Sequence, residues 1–170
     1  MNAEQLRAVQ APLKQRYRDM PNAALVPARA EATLDPGDVA CDVTAWGGAV
    51  RAGLHPATGG DGTLACSADM LLQALVACAG VTLRAVATAM GVTIRHARVV
   101  AEGHWDARGA LGVDSTAPVG LTDITLSFDV NCDADPAKLA RMIATTERYC
   151  VILQTLRAPP VVRVAARVPH

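Results

Sequence analysis

Aromatic residues make up only 3% of this 170-residue chain. So few rings leave little platform for stacking bases, which argues against a reader of single-stranded nucleic acid. Neither sign of charge is in excess: 16 basic residues balance 16 acidic ones, with no long run of either. Nothing in that balance suits a phosphate backbone or an anionic membrane surface. No GxGxxG and no GK[ST] occurs, which argues against a nucleotide-cradling loop. There is no CxxC, and the cysteine count is odd, at five. That pattern fits neither a secreted disulfide framework nor a zinc knuckle. The opening MNAEQLRAVQ lacks the apolar core of a signal peptide, so a reducing cytoplasm with free thiols is expected. Internal repeats and low-complexity tracts are absent too.

Apolar residues are plentiful, at 51%, and the core must be built from Ala, Val and Leu. The stretch Ser67 to Met90, SADMLLQALVACAGVTLRAVATAM, reads as a long helix. Between Met70 and Leu83 its only polar side chains are Gln73 and Thr82, which predicts cover by protein on both sides. Ser67 is the expected N-cap, with Asp69 in the first turn where its charge suits the helix dipole. Gly91 follows at the position of a left-handed C-cap. The uncharged run is short for a bilayer, which needs roughly 20 residues, so a buried core helix is expected. The small neighbours Ala77, Ala79 and Gly80 around Cys78 would let another backbone approach closely.

Before that helix, residues 2–18 are charged and amphipathic, with Leu6, Val9, Leu13 and Tyr17 at roughly helical spacing. Pro12 predicts one kinked helix or two short ones. Residues 1–27 are therefore read as a helical arm and 28–170 as the domain proper. Three short alternating runs (ARAEATL, VACDVTAW and AVRAGLH) are punctuated by Pro36-Gly37 and Gly47-Gly48 and read as a strand meander. A glycine-rich loop, HPATGGDGTLACS, leads into the central helix. After it, VTIRHARVVAEGHWD and LTDITLSFDVNC read as antiparallel partners. Asp135-Pro136 opens a second helix, PAKLARMIATTERY, with an Asp cap and Pro at N1. VILQTLRA reads as a short helical turn and VVRVAARV as a closing strand. This order predicts an α+β fold of segregated elements.

Two of the five cysteines occupy informative places. Cys78 lies within the central helix, and Cys150 sits where one helix stops and another turn begins. A thiol near a helix N-terminus gains from the dipole, and Arg148 or Arg157 would lower the Cys150 pKa further. A reactive thiol paired with a resolving one is the basic design of peroxide-reducing enzymes. The plain alternative is that Cys78 is a small core hydrophobe. Cys66, just before the helix, is a rival or accessory thiol. Cys41 and Cys132 are expected to be structural, and His55 and His104 to be surface or turn residues.

The run GGDGTLACSADMLLQALVACAGVTLRAVATAMGV, the strand pair around GALGV and the segment ERYCVILQTL together resemble the OsmC/Ohr family of osmotically inducible and organic-hydroperoxide-resistance proteins. The resemblance spans roughly residues 28–168. It implies an OsmC-like α+β fold, with antiparallel sheets packed on the long helix carrying Cys78, in an intertwined homodimer with two interface sites. It further implies Cys78 as the attacking thiolate and Cys150 as the resolving thiol, acting on small organic hydroperoxides. A dithiol reductant of the dihydrolipoyl type would regenerate the enzyme, and no cofactor or metal is implied. In the family an arginine holds the thiolate and a glutamate holds the arginine. Arg51 is the candidate arginine here, with Arg29 the fallback. The glutamate position is occupied by Ala68, one place before Asp69, and Val151 stands where active subgroups carry proline. Leu72, Leu75 and Val76 are the expected apolar lining. Two rival readings are a non-catalytic dimer binding a small apolar or electrophilic ligand and a cysteine-dependent acyl hydrolase or transferase.

Overall fold

The computed structural model describes residues 1–45 and 47–166. The elements run α1 (Ala3–Asp19), β1 (Glu31–Leu34), β2 (Ala40–Ala45), β3 (Gly48–Gly53), α2 (Ser67–Ala89), β4 (Ile94–Trp105), α3 (Ala107–Ala110), β5 (Leu121–Cys132), α4 (Pro136–Tyr149) and α5 (Val151–Arg157). Two antiparallel sheets result, a meander in the order β1-β2-β3 and a long β4-β5 hairpin. The α+β reading therefore holds. On β5 every second residue from Ile124 to Cys132 is half-buried. These are the apolar positions Ile124, Leu126, Phe128, Val130 and Cys132, so the alternation read in the sequence is the sheet's inner face.

Helix α2 lies on that hairpin and against α4 and α5. Its buried residues are Leu75, Ala79, Leu83 and Ala87, four apart throughout, which makes one stripe along the helix. Leu83 and Ala87 join Val92 and Met142 in one core cluster. Leu75 and Ala79 join Cys150 in another. The opposite side is open in the single chain: Val81 is 73% exposed and Leu71 38%, and Ala74 and Ala77 are exposed between them. Cover on both sides is thus not met within one chain. A Cβ at Gly80 would meet nothing within 4 Å, so among the described residues no backbone crosses closely there.

Two local cap signals hold and one does not. Asp135 caps α4 through a 2.7 Å bond from the Lys138 amide, with Pro136 at N1. Gly91 takes φ +63° just past α2, a conformation that costs glycine little. The N-cap of α2 is Cys66 instead of Ser67, and no side chain caps it. Helix α1 is one continuous helix with Pro12 inside it. It opens with a reciprocal Asn2–Gln5 capping box and touches α2.

The expected closing strand does not form: residues 159–166 have no regular structure, and Val161, Val162 and Val164 are 79–94% exposed. An alternating pattern makes a strand only where a sheet edge accepts it, and the described residues offer this segment none. The rest of that run, Arg167 and Val168, and Trp46 in the predicted second strand lie outside the described residues.

The loop before α2 is pinned to the meander. Ala65 exchanges backbone bonds with Arg51 and Gly53, each 3.1 Å. At Gly60 a Cβ would fall 1.8 Å from the Leu54 carbonyl oxygen. Gly60→Ala should therefore destabilise the chain by about 1–3 kcal/mol, read as a lower denaturation midpoint with an unchanged m-value.

Candidate active site: two thiols at a helix junction

Cys150 is both the last cap of α4 and the first cap of α5. Its backbone is extended, at φ −73° and ψ 104°. Its amide donates to Thr146 O at 2.9 Å, while its carbonyl accepts from Gln154 N at 3.0 Å. One residue thus ends one helix and starts the next. No side chain caps α5, so its first amides lack intrahelical partners. The two thiols lie beside those amides. Cys150 is 1% exposed and packs with Leu75 and Ala79, while Cys78 lies half-buried against the same cluster. Both thiols are free.

Burial pushes the Cys78 thiol up, but hydrogen bonds oppose it. The amide of Ile152, the Cys150 thiol, the amide of Val151 and the Thr82 hydroxyl together hold it below the ordinary cysteine value. Cys150 moves the other way. Burial raises it, the Leu153 and Ile152 amides only partly compensate, and its bond to Cys78 and the charge on that neighbour raise it further. The pair therefore divides into a thiolate-prone Cys78 and a proton-holding Cys150. That division matches what a nucleophile and its resolving partner need.

The other sequence candidates are not brought to Cys78. Arg51 faces three carboxylates of the meander: it pairs with Asp35, with Asp42 at 3.5 Å and with Asp38 at 3.9 Å. The guanidinium beside Asp35 holds that carboxyl below the usual range. Arg29 pairs with Glu31 at the surface. Asp69 is exposed in the first turn of α2. It precedes Cys78 by nine residues, or about 13.5 Å along the axis. Arg148 lies over the Tyr149 ring and Arg157 pairs with Glu147 at 2.9 Å, so neither acts on Cys150. The sequence reading missed Thr82 and the Val151 and Ile152 amides. The i, i+4 spacing of Cys78 and Thr82 was the available signal for the first.

Two cavities flank the pair without including either sulfur. One, of about 440 Å³, is lined by Leu75, Leu126, Leu153 and Leu156, with Glu147 and Arg157 beside them. The other, of about 860 Å³, lies at the head of α2 between Cys66, Leu71, His55, Trp105, Leu111 and Leu156. Leu75 of the expected apolar lining is in the first cavity, whereas Leu72 and Val76 line neither. Cys41 sits in β2 opposite Ala52, and Cys132 packs into the Leu83–Met142 core. Among the described residues no group of three or more His, Cys, Asp or Glu side chains gathers as metal ligands.

A family profile described as OsmC-like protein matches residues 60–165. No curated protein sequence matches the chain. Among solved structures, an OsmC-like protein from Mycoplasma pneumoniae superposes with a TM-score of 0.65 at 17% identity, covering 79% of this chain and 89% of that one. An OsmC-like protein of unknown function from Vibrio cholerae gives 0.62 at 14%, covering 77% and 94%. The organic hydroperoxide resistance protein OhrB of Bacillus subtilis gives 0.54 at 19%, covering 80% and 94%. At these identities the likeness is one of fold.

The split titration predicts selective alkylation. In the reduced protein Cys78 should react with iodoacetamide along a pH profile whose midpoint lies below that of an ordinary cysteine. Cys150 should stay unlabelled until well above it. Peptide mass spectrometry of protein labelled at a series of pH values checks both.

Proposed function

The chain belongs to the OsmC-like protein family, and we propose that it is a thiol-dependent peroxidase reducing organic hydroperoxides in the cytoplasm. One observation carries this reading: two reduced thiols packed in one apolar cluster at the start of a helix, an environment that lowers the Cys78 pKa and raises that of Cys150. The likeness in fold to hydroperoxide resistance proteins supports it. In the first step the Cys78 thiolate attacks the distal peroxide oxygen. The O–O bond breaks, the alkoxide leaves with a proton as an alcohol, and Cys78 becomes a sulfenic acid. The Cys150 sulfur then displaces that hydroxyl as water and the disulfide forms. A small dithiol of the dihydrolipoyl type reduces it by two exchange steps, leaving as its own cyclic disulfide.

The working unit in this proposal is a homodimer. The exposed Leu71, Ala74, Ala77 and Val81 on α2 form an apolar stripe that a second copy would cover. Arg51 and Asp69 do not meet their own Cys78, so we assign them to the thiol of the other copy. That assignment is testable by complementation. Co-expressed Cys78→Ser and Arg51→Ala chains, isolated as a heterodimer, should regain peroxidase activity that each homodimer lacks. A heterodimer as inactive as its parents would contradict action across the interface.

For the chemistry itself, Cys78→Ser should abolish consumption of cumene hydroperoxide. Cys150→Ser should instead accumulate a sulfenic acid on Cys78 that dimedone traps, with turnover lost after the first equivalent. Persistence of activity in Cys78→Ser would move the nucleophile to another thiol.

A second reading, ligand binding without turnover, is favoured by the 860 Å³ cavity, whose size and apolar walls suit a small organic ligand. It predicts ligand-dependent thermal stabilisation of Cys78→Ala together with no peroxide consumption by the wild-type chain. An acyl-transfer role for Cys78 would need a base at the thiol. The hydrogen-bonding groups there are two amides, a thiol and a hydroxyl, so that rival is not adopted.

A further inference from the structure

The last carbonyls of a helix lack intrahelical donors and must find others. At the end of α4 the Thr146 carbonyl takes the Cys150 amide at 2.9 Å. The next carbonyl, of Glu147, would take the Val151 amide if the helix ran on. The helix breaks instead: ψ at Cys150 is 104°, against about −42° in an α-helix, and that rotation swings the Val151 amide away. Among the described residues no amide of α5 replaces it at this carbonyl. A side chain does, as Gln154 Nε2 donates to Glu147 O at 2.7 Å.

A second contact runs the same way. One turn further along α5, Arg157 Nη2 donates to Glu147 Oε2 at 2.9 Å. Residues three apart share a helix face, so one face of α5 is strapped to a single residue of α4 through its backbone and its side chain. Cys150 lies inside the strap, three residues after Glu147 and four before Gln154. There it is buried with Leu75 and Ala79, in the cluster against which Cys78 packs. Ile152, Leu153 and Leu156 bring α5 onto the same cluster, so the angle of the break decides how the junction meets α2.

We infer that Gln154 is a positioning residue for Cys150: by occupying the Glu147 carbonyl it holds the break between α4 and α5 open and keeps the Cys150 thiol in the cluster beside Cys78. Without that side chain the carbonyl is free to take the Val151 amide back. The two helices then run on as one, and Cys150 turns away from α2. Gln154 itself is exposed, so replacing it leaves the packed face of α5 intact.

The role in resolving a sulfenic acid rests on the peroxidase reading, but the positioning can be measured without peroxide. In a glutathione buffer, the two protein thiols and one glutathione disulfide exchange for the Cys78–Cys150 disulfide and two reduced glutathiones. That equilibrium reads how well the pair is placed. Full-length wild-type, Gln154→Met and Gln154→Lys proteins are compared by peptide mass spectrometry, with thermal unfolding to verify the fold of each. Gln154→Met keeps the side-chain length and removes the donor. It should lower the equilibrium constant on the order of five-fold, as expected for one modest hydrogen bond. Gln154→Lys keeps a donor of similar reach, of a kind that serves the last carbonyls of helices, and should return the constant close to the wild-type value. On mixing with cumene hydroperoxide, Gln154→Met should also close the disulfide more slowly by a similar factor. An equilibrium unchanged in Gln154→Met, one as low in Gln154→Lys as in Gln154→Met, or a wild type that forms no such disulfide overturns the inference. If the wild type ignores hydroperoxide while the glutathione equilibrium shifts as expected, the peroxidase reading fails and the positioning role stands.

Discussion

The site depends on a contest between desolvation and hydrogen bonding at one sulfur. Burying a thiol penalises its charged form, and an ordinary core cysteine stays protonated and inert for that reason. Cys78 escapes because a helix start is placed against it. The chain ends α4 and begins α5 at a single residue, Cys150, which leaves the first amides of α5 without partners of their own. Those amides, the Thr82 hydroxyl and the Cys150 thiol outweigh the burial. The same burial acts on Cys150 without enough compensation, so its proton stays on.

The fold serves to hold that arrangement still. The stripe from Leu75 to Ala87 fixes α2 on the hairpin and against α4 and α5, and Met142 and Thr146 bury α4 beside it. Cys78 is the neighbour of Ala79 on that stripe, so it stands at the edge of the packed face and not within it. Beyond it runs an apolar face that the single chain leaves open. The proposed chemistry at that margin needs shielding from bulk water, which the proposed second copy would supply.

Much of this was legible in the sequence because the signals were local. Alternation on β5, the Asp135-Pro136 start of α4, Gly91 after α2 and the placing of Cys150 between two helices all follow from neighbours within a few residues. The partners of Arg51 were not legible, because Asp35, Asp38 and Asp42 reach it only once the meander is in register. The closing strand failed on the same ground: VVRVAARV has the pattern, but a strand is a property of two segments. The dipole argument was right in kind and wrong in beneficiary. The helix start after Cys150 favours the thiolate of Cys78, a residue 72 positions earlier in the chain.

The account is tested most directly by treating the reduced protein with about one equivalent of cumene hydroperoxide and mapping its cysteines by non-reducing peptide mass spectrometry. The thiol pair described here predicts rapid formation of a Cys78–Cys150 disulfide, with Cys41, Cys66 and Cys132 still free. Free Cys78 and Cys150 after that treatment, or a disulfide through Cys66, would contradict it.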